Sequence, residues 1–141
     1  MDNIIFRPAV REDLDQLFPL LEQLTGMDYH TRNKDECWVL FHSNTSINSI
    51  VGVIGGKIIT YGSIIIENKI HGSIAGHIED IVVDSNFRGM GIGEKLINQL
   101  VEIGKNKKCY RITLFCKEDL VDFYNKNGFT VNNLAMKKFV E

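Results

Sequence analysis

The stretch DIVVDSNFRGMGIGEKL, Asp80 to Leu96, constrains this chain more than any other. An apolar, strand-like run passes through Arg88 into three glycines at alternating positions, then directly into a helix-forming segment. Glycine is entropically costly in ordered structure, so Gly89, Gly91 and Gly93 need a reason. A helix N-terminus presents unpaired N–H groups and the positive end of its dipole. That makes it an anion site. Side chains on the approach loop would block a bulky diphosphate, whereas glycines let the backbone come close. Arg88 adds forked cationic donors. The order strand–Arg–GxGxG–helix therefore suits a diphosphate ligand; the plainer alternative is a tight β–α connection with no ligand. Two phosphate fingerprints do not fit. No Lys-Ser or Lys-Thr follows the glycines, as a P-loop requires, and Glu94 stands where GxGxxG needs its third glycine.

The 141 residues are read as one domain, 1–141. A formal net charge of −2 argues against nucleic acid as the main partner. The apolar runs are too short to span a bilayer, and no basic amphipathic run suits a membrane surface. MDNIIFRPAV lacks the basic start and long apolar core of a secretory leader. Cys37, Cys109 and Cys116 show no CxxC pair and no zinc spacing, so no metal is expected and a reduced, cytoplasmic setting is.

The rest of the chain supplies a frame around the loop. IIFRP reads as a short strand. In EDLDQLFPLLEQL, Leu14, Leu17, Phe18, Leu21 and Leu24 recur at helical spacing, with Pro19 expected to kink or split the helix. NKDECWVLFHSN reads as a second helix with Asn33 as its cap. SIVGVIGGKIITYGSIIIE reads as two strands turning at Gly55-Gly56. ENKIHGSIAG is expected to be a loop and GHIEDIVVD a strand. From Gly91 to about Asn106 a helix buries Ile92, Leu96, Ile97, Leu100 and Ile103. YRITLFC is a strand, EDLVDFYNKNG a helix ended by Gly128, and FTVNNLAMKKFV one or two closing strands. This order is mixed α/β, with a largely antiparallel first half and a βαβ centre. Glu79 and Asp80 are adjacent in a strand, so they are expected on opposite faces. His77 should share the face of Glu79.

The Arg-Gly-x-Gly-x-Gly pattern after an apolar strand resembles the coenzyme A loop of the GNAT superfamily of N-acetyltransferases. DFYNKNGF carries the Tyr-x-x-x-Gly-Phe pattern that closes many GNAT domains. The chemistry of that tyrosine is leaving-group protonation: a phenol within reach of a departing thiolate can donate its proton. The alternative for Tyr124 is a core side chain beside Phe123 and Phe129. Taken together, GHIEDIVVDSNFRGMGIGEKLINQL, CYRITLFC and FYNKNGF resemble eukaryotic-type glucosamine-6-phosphate N-acetyltransferases, over about Gly62 to Phe129. LTGMD and IIIENKIHG match more loosely.

The resemblance implies the GNAT acyl-CoA N-acyltransferase fold: a mostly antiparallel sheet, its fourth and fifth strands parallel, flanked by helices. It implies transfer of acetyl from acetyl-CoA to the 2-amine of glucosamine 6-phosphate in a ternary complex, a step toward UDP-N-acetylglucosamine. By the same resemblance, backbone of Ile81, Val82 and Val83 holds the carbonyl and pantetheine. The diphosphate lies on Arg88, Gly89, Met90, Gly91, Ile92 and Gly93, with Glu94 opening the helix. Tyr124 is the acid and Asn125 lies near the thioester. Glu79 and Asp80 meet the sugar and its amine. Thr25, Lys69, Ile70, His71, Leu114, Phe115 and Lys138 are the other substrate candidates, with Lys137 an alternative to Lys138. A homodimer is implied, its C-terminal segment reaching the partner's site. Two departures touch the sugar site: Phe115 replaces a common acidic residue, and Leu120 replaces an asparagine. Other readings of the residues stay open: an acetyltransferase of the same fold for another small amine or a peptide, and a coenzyme A-binding module without catalysis.

Overall fold

The computed structural model describes residues 3–141; Met1 and Asp2, part of the stretch read against a leader, lie outside them. The chain runs β1 (Ile5–Pro8), α1 (Leu14–Thr25), α2 (Lys34–His42), β2 (Ile47–Ile54), β3 (Lys57–Asn68), β4 (Ile74–Val83), α3 (Ile92–Asn106), β5 (Arg111–Leu114) and α4 (Val121–Lys126). The strands form one sheet in chain order. The first three pairings are antiparallel and β4 with β5 is parallel. That follows from connection length for the later strands: short turns join β2 to β3 and β3 to β4, whereas α3 supplies the long crossover that the parallel β4–β5 pair requires; β1 reaches β2 through α1 and α2. Gly55 and Gly56 turn β2 into β3 with φ of +54° and +81°, the double left-handed turn that matches strand twist.

Both sheet faces are covered, which is why β3 is nearly continuous in apolar residues. One face packs Ile50, Ile64, Ile66 and Ile78 against Leu96, Ile97 and Leu100 of α3, with Tyr124 of α4. The other packs Val51, Ile58, Tyr61 and Val82 against Leu14, Leu17 and Leu20 of α1. Asn33 caps α2 as expected, accepting from the Glu36 N–H at 3.0 Å.

Four expectations are corrected. Pro19 does not split α1, which is continuous from Leu14 to Thr25. Proline removes only one internal bond, and both Pro19 and Asp15, whose carbonyl would have received it, lie on the exposed side where water can serve. The buried stripe of α1 includes Leu20, while Leu24 is exposed. The loop expected over Glu67–Gly76 shrinks to residues 69–73, because β3 and β4 pair out to Asn68 and Ile74. No closing strand forms: residues 129–141 are irregular, with Leu134 93% and Phe139 82% exposed. A strand needs a neighbouring edge for its N–H and C=O groups, and this segment lies against none.

Asp13 anchors the entry to α1. Its carboxylate takes both Arg7 donors, at 2.7 and 2.8 Å, and the Val10 N–H at 2.8 Å. The Arg7 hydrogen bonds hold its carboxyl below the usual aspartate value, although burial opposes them. A lowered folded value means stability present above the ordinary carboxylate range and lost as pH falls through the lowered value. Asp13→Ala should cost about 2 kcal/mol at neutral pH and less in acid, read by urea unfolding at both.

Candidate active site

The candidate site lies at an irregularity in β4. Ser63 pairs with Glu79, but Tyr61 pairs with Val82, so Gly62 alone faces Asp80 and Ile81. Two residues opposite one is a β-bulge. Asp80 takes the strain with φ of +57°, a left-handed conformation uncommon for a side-chain-bearing residue. A Cβ on Gly62 would stand 2.6 Å from the Ile81 Cδ1 and 3.0 Å from the Leu100 Cδ1, so a larger residue there would have to shift these side chains.

The bulge overturns the expectation that Glu79 and Asp80 point to opposite faces. Ile78 and Ile81 both pack on the α3 side, so the two residues between them are turned away from it. Glu79 and Asp80 are both exposed. Asp80 keeps solvent contact, yet surrounding atoms desolvate it enough to raise its carboxyl above the usual value. Its charge reaches Tyr61, whose phenol is pushed up to about 12, by burial first and by Asp80 second; Ser49 and Ser63 pull the other way. Tyr61 thus keeps its proton beside the carboxylate. Sequence reasoning passed over Tyr61 as an ordinary strand residue. The available signal was a hydroxyl-bearing ring inside an isoleucine-rich run, since a buried Tyr O–H usually has a partner.

The β4 and β5 strands separate just beyond this point. Their pairing ends at Ile78–Leu114, whereas β4 continues to Val83. Residues 79–83 therefore have no β5 neighbour, and backbone groups along Ile81, Val82 and Val83 are available on that side. The Arg88 Nε donates to the Val83 carbonyl at 3.2 Å, tying the glycine loop to the end of β4.

The three glycines do two different jobs. Gly89 and Gly91 have φ of +78° and +77°, and Gly91 caps α3 without any side-chain hydrogen bond. The first N–H groups of the helix are left for a ligand. Gly93 has ordinary helical backbone; a Cβ there would meet the Phe123 ring at 3.3 Å, so it lets α4 pack on the first turn of α3. Ile92 is buried and Met90 half exposed, so Ile92 can offer a ligand only its backbone. Glu94 is exposed in the first turn.

That packing sets Tyr124. Its ring lies in the core, edge-on to Phe123 at 5.0 Å and Phe129 at 5.9 Å. Burial, then the nearby Cys116, raises its phenol above the ordinary value. Both sequence readings of this residue are compatible: the ring fills the core and the hydroxyl faces the end of β5. Asn125, next in α4, is exposed.

The remaining candidates divide. Leu114 and Phe115 lie at the mouth of the separating strands, and Phe115 packs on His77 at 4.8 Å. Thr25 ends α1 close to the same end of the sheet, since the Gln23 side chain accepts from the Ser85 N–H at 2.9 Å. The Thr25 hydroxyl is within 2.7 Å of the Tyr29 hydroxyl. Lys69, Ile70 and His71 occupy the turn before β4, whose first residue, Ile74, is five residues and, at strand rise, about 16 Å from Glu79. Lys69 pairs there with Glu67 at 3.1 Å. Lys138 lies in the exposed tail. Within one chain Lys69, Ile70 and His71 are not brought to the carboxylates. Among the described residues no group of three His, Cys, Asp or Glu is placed to hold a metal, and no helix is long and apolar enough to cross a membrane.

The family model for acetyltransferases of the GNAT family matches residues 5–129. Glucosamine 6-phosphate N-acetyltransferase 1 of Dictyostelium discoideum is 33% identical, over 99% of this chain and 92% of its own. Alignments with rice, trypanosome and Arabidopsis relatives named for the same activity span 50–59% of those chains. Among solved structures, glucosamine-6-phosphate N-acetyltransferase from Arabidopsis thaliana superposes with a TM-score of 0.90 at 30% identity, covering 99% of this chain and 100% of that one. A Trypanosoma brucei acetyltransferase does so with 0.90 at 30%, covering 98% and 100%.

Proposed function

The chain belongs to the GNAT acetyltransferase family, and from that premise we propose that it transfers acetyl from acetyl-CoA to the 2-amine of glucosamine 6-phosphate. The observation that carries this reading is the opening between β4 and β5. Beyond it residues 79–83, Glu79 and Asp80 among them, have no β5 partner, and no side chain caps the start of α3; both features support the reading.

Coenzyme A lies with its diphosphate on the Arg88–Gly93 loop and its pantetheine along Ile81–Val83. Backbone N–H groups there meet the carbonyl oxygen as it gains charge, the kind of preorganised donor worth most in a water-poor cleft. Glu79 and Asp80 draw the ammonium of the acceptor in, it gives one proton to water, and the neutral amine attacks the thioester carbon. The tetrahedral intermediate collapses, the C–S bond breaks, Tyr124 gives the thiolate its proton, and the second proton lost by the nitrogen returns through water to Tyr124. Asn125 flanks the thioester. Leu114, Phe115 and Thr25 border the sugar.

The enzyme works as a homodimer in this reading. Lys69, Ile70, His71 and Lys138 serve the sugar phosphate from a second copy. Two features support that arrangement: the distance of Lys69, Ile70 and His71 from Glu79 within one chain, and the exposed apolar tail bearing Leu134, Met136 and Phe139. A cytoplasmic setting suits three unpaired thiols.

The test is thiol release from acetyl-CoA with glucosamine 6-phosphate beside unphosphorylated glucosamine. Charged hydrogen bonds to phosphate should favour the phosphorylated sugar about 10- to 100-fold in kcat/KM. Better turnover of another amine would remove the substrate and leave the acetyl transfer.

A further inference from the structure

We propose that His77 is a positioning residue for the acceptor: clamped by Thr113 and Phe115, it holds the Glu79 carboxylate where the amine arrives. This rests on the acetyl-transfer reading above. His77 and Thr113 are register partners across the parallel β4–β5 pair, and the His77 Nδ1 lies 2.8 Å from the Thr113 Oγ1. The Phe115 ring stands edge-on to the imidazole at 4.8 Å and 62°. These two contacts come from β5 and the residue just after it, and fix both the plane and the rotation of the ring.

The free nitrogen, Nε2, faces the Glu79 Oε1 at 3.6 Å. In the proposed arrangement the Thr113 hydroxyl donates to Nδ1, so that Nε2 carries the proton and faces the carboxylate across 3.6 Å, an ion-pair separation, longer than a hydrogen bond, that the arriving acceptor would close. The histidine side chain is 14% exposed and the glutamate 48%. An anchored donor therefore acts on a carboxylate that is otherwise free to swing. Strand separation explains why Glu79 needs it: β5 ends at the level of Ile78, one residue earlier, so no β5 residue pairs with Glu79. Phe115, which cannot bind the acceptor through a charge, instead shields the group that aims Glu79.

The amide of Gln reproduces Nε2 and the amide of Asn reproduces Nδ1, which separates aiming Glu79 from bonding Thr113. His77→Asn should raise the acceptor KM about tenfold, the worth of one hydrogen bond to a charged group formed when the acceptor is bound. His77→Gln should recover most of it, and acetyl-CoA affinity should stay within about twofold in both. Thr113→Val, which frees the ring without altering Glu79, should raise the acceptor KM as well. In a Glu79→Gln background, His77→Asn should add about twofold or less, since residues acting through one another are not additive. The proposal is overturned if Asn behaves like wild type while Gln does not. It is also overturned if both substrates shift together, if Thr113→Val leaves the acceptor KM unchanged, or if the Asn effect persists in full on Glu79→Gln. Wild-type turnover over an amine panel is read in the same assay. Preference for another amine defeats the sugar assignment alone, and the same variants are then compared with that amine.

Discussion

Tyr124→Phe should lower kcat by about 10²-fold or more, the usual worth of a positioned general acid. Acetyl-CoA affinity and the unfolding midpoint should barely move. The ring stays in place between Phe123 and Phe129, at 5.0 and 5.9 Å, and only the hydroxyl is removed. The pH dependence follows from the direction of the shift. A phenol is the acid below its pKa, and burial raises that of Tyr124. The proton is therefore still present across the neutral and mildly alkaline range, and deprotonation of Tyr124 should limit turnover only above the ordinary tyrosine range. Single-turnover kinetics, with calorimetry for acetyl-CoA, separates the effects. Unchanged turnover would leave Tyr124 as a core residue and send the thiolate's proton elsewhere.

Gly91→Val should be the most damaging change to cofactor binding. Nothing lies within 4 Å of where its Cβ would stand, so the cost is in the backbone. A φ of +77° opposes a β-branched residue, at about 1–2 kcal/mol. Part of that appears as lost stability. The rest appears in the loop: to relieve strain, Gly91 leaves the conformation that bares the first N–H groups of α3. Acetyl-CoA affinity should fall about tenfold or more, since that relief is of the size of one decade in binding. Urea unfolding and calorimetry measure the two parts. A destabilised protein with wild-type coenzyme affinity would mean that the glycine loop only turns the chain.

Much of this protein was legible in its residues. The run of apolar strand, Arg88 and alternating glycines leads into α3, and the spacing of Ile92, Leu96, Ile97 and Leu100 matches the face that α3 buries. Asn33 and Gly55-Gly56 carry local chemistry that needs no distant partner, and both act as their residue types require. Such features succeed because a helix period, a cap or a left-handed turn is decided within a few residues.

The sites that resisted prediction depend on pairing across the sheet. Alternation in β4 argues for Glu79 and Asp80 on opposite faces. The β3 register instead inserts a bulge at Gly62, which turns both away from the α3 side and sets Asp80 beside Tyr61. The contact of His77 with Thr113 spans 36 positions and exists only because β4 and β5 run parallel. The same holds for the tail, whose alternating apolar residues read as a strand but meet no edge within this chain. The sequence by itself determined the elements, the glycine loop and the apolar faces, because these obey local steric and hydrophobic periodicity. Only the tertiary structure decided which way Glu79 and Asp80 turn, which side chains lie beside them and where the strands part, because register and separation are set by residues far apart in the chain.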